Sequence, residues 1–301
     1  MRQILTPRVP AATATTASGF AVWNTALVGN FCVTGANSGI GWAVASALSA
    51  SGHVVVGVDL TGGEASQVCD SVVVGDLADR AERSRIVSSV NAAVGGVLHG
   101  VVPCAGVGGL ADPALTVSLN FFSVVDLVEA LRPALVSGGA QGGSSVVLVS
   151  SFTASTTPGL TRTDVETLCG GASAQLGDEE SARVRFASAG WMAYPATKLA
   201  LVWWMRRRAA TWMAEGVRLN AVAPGVVDTN MTRPLLDIDG VREALEGIEL
   251  PAGRWATPAE VASVITFLTS PAASYVAGQV VYVDGGSDAL ANPEWPPAAA
   301  P

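Results

Sequence analysis

The sequence predicts an α/β fold, a doubly wound parallel sheet in a single domain. Three observations predict it. Short β-branched runs alternate with longer segments of helical spacing. The short runs are almost continuously apolar, as strands buried on both faces must be. A glycine-rich turn joins the first such run to the first helical segment.

Residues 31–34, 54–58, 72–74, 97–104, 146–150, 218–222 and 280–284 read as strands. Between them, residues 40–51, 79–93, 117–130, 196–214 and 258–268 read as helices; Val117, Phe121, Val124, Val125 and Val128 keep helical spacing. Strand–helix alternation implies right-handed crossovers, hence a parallel sheet covered on both faces. Ligands of such sheets bind at the carboxyl ends of the strands. That rim would carry Thr34, Asp59, Asp76, Cys104 and Ser151.

Composition narrows the function. The 301 residues are 50% apolar and only 14% charged, against about 25% in ordinary domains. No Asp, Glu, Lys or Arg occurs from Val9 to Val58. A net charge of −8 disfavours a nucleic-acid partner, because phosphate contacts need clustered cations. The run Arg206-Arg207-Arg208 reads as a solvated helix end. The two histidines, His53 and His99, fall in apolar runs that read as strands and suggest structural roles, so neither a histidine-rich metal site nor a Ser-His-Asp hydrolase is expected. Cys32, Cys69, Cys104 and Cys169 are widely spaced, which fits reduced thiols in a cytoplasmic protein. No membrane span is expected, since no run of about 18 uninterrupted apolar residues occurs. Residues 1–26 read as a loose tail without the compact apolar core of a signal peptide, 27–290 as the domain, and 291–301 as an irregular Pro/Ala-rich tail.

The first turn is Gly35-Ala36-Asn37-Ser38-Gly39-Ile40-Gly41. Glycines let the backbone approach a pyrophosphate, and the helix that follows offers free N–H groups and the positive end of its dipole. Asp59 closes the second strand 18 residues after Gly41, close to the spacing of a carboxylate that binds the ribose hydroxyls of NAD. It would repel a 2′-phosphate, and Leu60-Thr61 supplies no Arg to hold one. Asp76-Leu77 follows the third strand, where an adenine edge could be held.

Tyr194-Pro195-Ala196-Thr197-Lys198 supplies the reactive pair. Pro195 places Tyr194 at a helix start, and the i, i+4 spacing puts Lys198 on the same face. A free tyrosine, with a pKa near about 10, is too weak an acid to serve as a base at neutral pH. A neighbouring ammonium favours the phenolate, which makes such a pair an acid/base unit for an alcohol or carbonyl. Alone, Tyr-x-x-x-Lys is common in ordinary helices; here it follows the glycine turn and a strand ending in Ser150-Ser151.

Together these motifs resemble the short-chain dehydrogenase/reductase family over residues 28–290, with its Rossmann-type sheet. The matching residues are 34–41, Asp76-Leu77, Cys104-Ala105-Gly106, Asn120, Ser151, Tyr194 with Lys198, Pro224-Gly225 with Thr229, and Asp284-Gly285-Gly286. The resemblance implies Tyr194 as general acid/base and Lys198 as its partner and a ligand of the nicotinamide ribose. It implies Ser151, the second of the serine pair, as the group that holds the substrate oxygen, with Ser150 in support. Asn120 would support a relay water, and Val227 and Thr229 would contact the nicotinamide amide. The implied cofactor is NAD, bound by Gly35, Asn37, Ser38, Gly39, Ile40, Gly41, Asp59, Leu60, Asp76, Leu77, Cys104, Ala105, Gly106, Tyr194, Lys198, Val227 and Thr229. No metal is implied.

Two departures stand out. Pro103-Cys104-Ala105-Gly106 replaces the family's Asn-Asn-Ala-Gly, which leaves sheet support there open. Tyr194 lies 43 residues after Ser151, so an insert occupies about residues 153–190, with short helices expected over 164–168 and 179–186. With segments 101–106, 194–198, 216–220 and 270–276, the insert looks like the bacterial 3α-hydroxysteroid dehydrogenase/carbonyl reductase branch. Homo-oligomers are the family expectation. If the insert lies beside the helix of Tyr194, it favours a dimer over a tetramer; the competing reading makes it a lid, with Gly170-Gly171 and Gly138-Gly139 as pliant points.

Residues 230–252 would overhang the site, with Met231, Leu235, Leu236, Val241, Leu245, Ile248 and Leu250 as an apolar lining, and Phe152 and Trp191 as further walls. The implied partner is a bulky apolar ketone or secondary alcohol such as a hydroxysteroid, with a carbonyl reductase for small non-steroid ketones as an alternative. A non-catalytic nucleotide-binding protein on the same fold is a further alternative, opposed by the presence of Asn120, Ser151, Tyr194 and Lys198 together. A sugar epimerase lacks its C-terminal domain here, and an enoyl reductase would space Tyr and Lys more widely.

Overall fold

The computed structural model describes residues 28–171 and 176–294. The N-terminal tail and most of the C-terminal tail expected from the sequence lie outside them.

Seven strands form one parallel sheet: β1 (Asn30–Thr34), β2 (Val54–Asp59), β3 (Ser71–Val74), β4 (Gly100–Pro103), β5 (Ser144–Val149), β6 (Val217–Pro224) and β7 (Val280–Val283). Their order is β3-β2-β1-β4-β5-β6-β7. The strand order reverses between β1 and β4, the switch point at which α/β sheets open a crevice for ligands. The helices are α1 (Gly39–Ala50), α2 (Arg80–Ala93), α3 (Pro113–Val117), α4 (Ser123–Gly139), α5 (Thr153–Thr156), α6 (Arg162–Cys169), α7 (Glu179–Phe186), α8 (Ala193–Ala214), α9 (Val241–Glu246), α10 (Pro258–Thr269) and α11 (Ser287–Ala291). One face of the sheet packs against α2, α4 and α8, and the other against α1 and α10. β1 and β6 are buried almost along their whole length, which is why their sequences lack alternation.

Several sequence expectations need correction. The expected strand 97–104 shortens to β4, because Gly95 and Gly96 turn with positive φ and Leu98 N–H bonds Ala134 O rather than a strand. His53 and His99 stand just ahead of β2 and β4, not inside them. Their Nδ1 atoms accept from the N–H of Gly29 and Asn30, each at 3.1 Å, fixing the entry of β1 as structural residues. Burial holds both imidazoles below their ordinary pKa, which keeps them as acceptors.

The expected helix 117–130 runs instead from Pro113 to Gly139. Asp112 caps its start, one π-helical turn (Ser118–Phe122) interrupts it, and Pro133 is tolerated inside it. By length and composition this helix could cross a membrane, but 67% of its most apolar window is buried inside the protein. Gly138 is no hinge: a Cβ there would stand 1.8 Å from Leu98 O, so its glycine serves close packing. The run 206–208 lies inside α8 rather than at its end, and although Arg206 and Arg207 are exposed, all three guanidinium groups are engaged. Arg206 donates to Gly278 O, Arg207 to the carbonyls of Gly170 and Gly171, and Arg208 to Glu129.

The insert folds as α6 and α7. A capping box of Thr161 with Asp164 starts α6, and the acidic N-cap Asp178 starts α7. α6 lies along α8, and Trp203 of α8 is flanked by Arg162 and Arg207 at 5.6 and 5.3 Å. α7 packs on α3, and Glu179 at its start reaches Arg83 of α2.

Candidate active site

The crevice at the switch point is a cavity of about 460 Å³. Every residue named above for the cofactor lines it except Asn37, and Ser151 lines it too.

The glycine turn is forced by backbone contact. Gly35 has φ +66°, and a Cβ there would lie 2.8 Å from Ala105 N. A Cβ on Gly41 would lie 2.1 Å from Gly35 O. Ser38 caps α1 in extended conformation without a side-chain bond, so the first N–H groups of α1 face the cavity without a side-chain acceptor. Asn37 sits outside the lining and organises the turn: its amide bonds Thr61 O at 2.8 Å and accepts from Ala65 N–H at 2.8 Å. The Asp59 carboxylate accepts from Asn37 N–H (2.9 Å) and Leu60 N–H (2.8 Å), which aims it at the turn. Asp76 Oδ1 accepts from Ala78 N–H at 2.8 Å, and Leu77 is buried.

The missing Asn pair at 103–104 does not leave the sheet untied. Thr34 Oγ1 accepts from Ala105 N–H at 2.9 Å, bridging β1 to the segment after β4. Burial raises the Cys104 thiol to about 12, partly offset by the nearby Lys198 ammonium, so it stays protonated.

Tyr194, Ser151 and Lys198 meet at one end of the cavity. Tyr194 and Lys198 rise from the first turns of α8, and Ser151 follows β5. Ser150 Oγ donates to Lys198 O (2.9 Å), while Ser151 Oγ bonds the Tyr194 hydroxyl. Thr153, which carries no signal in the sequence, completes the shell: its N–H and Oγ1 bond Ser151 Oγ at 3.2 and 3.0 Å. Lys198 Nζ donates to Val149 O at 2.9 Å and lies 5.5 Å from the Tyr194 ring centroid. Desolvation lowers Lys198 to about 8.

Tyr194 departs from expectation. Its pKa lies above the ordinary tyrosine value, because burial outweighs the Ser151 hydrogen bond. The ammonium that was to lower it is directed at Val149 O instead. Asn120 does not reach into the cavity either: its side chain is buried and spent on both backbone groups of Val107, each at 2.9 Å. The residue sits in the π turn, and that turn is what it places at the site.

Val227 and Thr229 line the cavity, with Thr229 against Gly39. Of the expected apolar overhang, Met231, Leu235, Leu245 and Ile248 line it. Leu236 and Val241 do not, and Leu250 lines a separate, smaller cavity. Phe152 is a wall, whereas Trp191 is 54% exposed outside it. Val107, Gly108 and Gly109 add a wall that apolar periodicity could not reveal, since they lie in an irregular loop.

Two family models match the chain. One described as short chain dehydrogenase covers residues 30–162; one described as enoyl-(acyl carrier protein) reductase covers residues 178–288. The residues between them fall inside the insert. A 3-alpha-hydroxysteroid dehydrogenase/carbonyl reductase of Comamonas testosteroni is 35% identical over 266 residues, 87% of this chain and 97% of that protein. The chain belongs to the short-chain dehydrogenase/reductase family. It is therefore an oxidoreductase acting on a small molecule. A tropinone reductase homolog of Arabidopsis thaliana is 31% identical over 84% of this chain and 90% of its own length. The 3-alpha-hydroxysteroid dehydrogenase of Pseudomonas sp. B-0831, solved in complex with NADH, superposes with a TM-score of 0.78 at 36% identity, covering 87% of this chain and 97% of its own. The short-chain dehydrogenase/reductase crevice found here fits a nicotinamide dinucleotide: the turn leaves no room for a Cβ where the backbone must approach phosphates, and the N-terminus of α1 faces the same space.

Proposed function

We propose that the protein is an NAD-dependent oxidoreductase that interconverts a bulky apolar secondary alcohol and its ketone. The observation that carries this reading is the Tyr194–Ser151–Lys198 cluster at one end of a cavity whose other walls are mostly apolar. The bound dinucleotide would supply or accept the hydride. Tyr194 gives its proton to the ketone oxygen in reduction and takes it from the alcohol in oxidation. Ser151 holds that oxygen, and Thr153 orients Ser151. Lys198 holds the nicotinamide ribose, and the π turn of Asn120 supports the proton path. A hydroxysteroid suits the lining of Met231, Leu235, Leu245 and Ile248, and the Comamonas and Pseudomonas relatives bear that substrate in their names. A panel of secondary alcohols and ketones, steroids included, read by NADH absorbance, tests the reading; turnover confined to small hydrophilic substrates would sink the steroid-sized part of it.

Asp59 sets the cofactor. Its carboxylate lines the cavity at the end of β2, where a ribose 2′-hydroxyl would be met, and the neighbours Leu60 and Thr61 carry no positive charge, which supports NAD over NADP. NAD should be used at least about tenfold better than NADP in kcat/KM, which corresponds to about 1.4 kcal/mol. Equal use of the two would remove Asp59 from this role.

The protein forms a dimer in this reading. α6 lies along α8, so the chain's own insert covers part of the α8 surface that a second subunit would otherwise use. Light scattering should return a dimer, and a tetramer would defeat the blocking role of α6. The four cysteines are free thiols, which suits a reducing cytoplasmic setting.

A further inference from the structure

The guanidinium of Arg83 takes no part in the chemistry above, yet all five of its N–H donors have partners. Nε donates to Leu77 O at 3.0 Å. Nη1 donates to Asp126 Oδ2 at 2.7 Å and Glu179 Oε2 at 2.8 Å. Nη2 donates to Glu179 Oε1 at 2.9 Å and Ser118 O at 3.4 Å. The Glu179 carboxylate also takes the Ser118 hydroxyl. The Arg83 and Glu179 side chains are 5% and 10% exposed.

These partners come from separate parts of the chain. Leu77 is a wall of the cofactor cavity on the loop after β3. Ser118 opens the π turn that carries Asn120. Glu179 opens α7 of the insert, 96 residues from Arg83. Burying such a pair carries a desolvation cost that well-packed apolar residues would avoid, so stability alone is a weak reason for it. A planar fork with fixed donor directions can do what an apolar contact cannot: fix several backbone positions relative to one another.

We propose that Arg83 and Glu179 are positioning residues, a brace by which the insert holds Leu77 at the cofactor wall and the Asn120 turn at the reactive end. The proposal rests on reading the cavity as the dinucleotide and substrate site. Neither residue lines that cavity; Arg83 acts through the backbone carbonyls of Leu77 and Ser118 that it grips, and Glu179 through Arg83 and the Ser118 hydroxyl. Amidating Glu179 removes its charge and turns one of the two acceptor oxygens into an N–H donor, so one Nη donor loses its partner in the interior, and the fork then has freedom to turn away from Leu77 and Ser118.

The test compares Glu179→Gln, Glu179→Asp and Arg83→Lys with Arg185→Gln, which breaks an exposed ion pair to Asp164 within the insert and leaves the fork intact. For each, kcat and KM are measured on an active ketone, and NADH affinity by quenching of tryptophan fluorescence, all well below the Tm found by calorimetry. Glu179→Gln should lower kcat at least about tenfold, since misplacing a reactive group by about 1 Å can cost as much as about 10²-fold. NADH affinity should weaken as well. Glu179→Asp, which keeps the charge but cannot span both Nη atoms, should fall between Gln and the parent, and Arg185→Gln should match the parent. If Glu179→Gln fails to fold, Glu179→Asp and Arg83→Lys carry the same comparison. A loss in either kcat or NADH affinity, absent from the control, supports the brace. Both quantities within about twofold of the parent, with only Tm lowered, would reduce the fork to a stabilising contact and overturn it. The NADH titration needs no substrate, so weakened NADH binding in a protein with no ketone turnover would uphold the brace while removing the dehydrogenase reading.

Discussion

Replacing Tyr194 by Phe is expected to remove nearly all turnover while leaving NADH affinity close to that of the parent. The change deletes one hydroxyl, the proton donor, and keeps the ring against Gly109. General acid/base catalysis is worth about 10²–10⁴-fold, and the loss should fall in that range. The pH profile carries the same claim with a sign. Burial raises the Tyr194 pKa, so the phenol is protonated at neutral pH. Ketone reduction needs that proton; its rate should hold through neutral pH and decline as pH rises through the Tyr194 value. Alcohol oxidation needs the phenolate, so its rate should climb over the same span. Lys198, at about 8, loses its charge first, which places any loss of ribose binding on the alkaline side. Initial rates in both directions across pH check this, and parallel profiles in the two directions would remove Tyr194 from the proton transfer.

The second large effect is expected at Gly41. A Cβ there would stand 2.1 Å from Gly35 O, 2.7 Å from Gly35 C and 3.0 Å from Thr34 O, all backbone atoms with nowhere to yield. Gly41→Ala must therefore displace the turn or the start of α1. Overpacking of this kind costs about 1–3 kcal/mol. Because the displaced atoms are those that face the phosphates, NADH affinity should fall at least about tenfold. Gly171→Ala, with nothing within 4 Å of its added Cβ, should change neither Tm nor NADH affinity. Fluorescence titration and calorimetry on the two variants decide the point.

The cofactor half of the site was legible because its signals are local. The turn 35–41, Asp59 at the end of β2 and the i, i+4 pair Tyr194/Lys198 each lie within one element and its neighbours, and local geometry follows directly from such spacing. What stayed hidden depends on contacts distant in sequence or on backbone detail. A π turn at 118–122 has nearly the apolar spacing of an α-helix, so Asn120 reads as an ordinary helical residue. Pro133 looks like a helix end, yet the surrounding packing carries the helix through it. Arg206 and Arg207 are solvent-exposed charge, as the sequence suggests, but the carbonyls of 170, 171 and 278 that they bond come from other segments and leave no local signal. Glu179 looks like a helix-start acid, which it is, and nothing in its neighbourhood announces Arg83. Tyr194 shows the same limit in electrostatics. Its distance from Lys198 in sequence is small, but the direction of its pKa is decided by burial and by where the ammonium points.

In the proposed reaction a hydride passes between the dinucleotide held in this crevice and the carbonyl carbon of an apolar ketone, with Tyr194 supplying the proton. Mass spectrometry of the product formed with NADH deuterated on its transferable position tests it most directly. The intact protein should place one deuterium on the carbinol carbon of a bulky apolar ketone, and Tyr194→Phe should yield almost none. NADH that binds tightly while no ketone of the panel acquires deuterium would leave a nucleotide-binding protein without this chemistry.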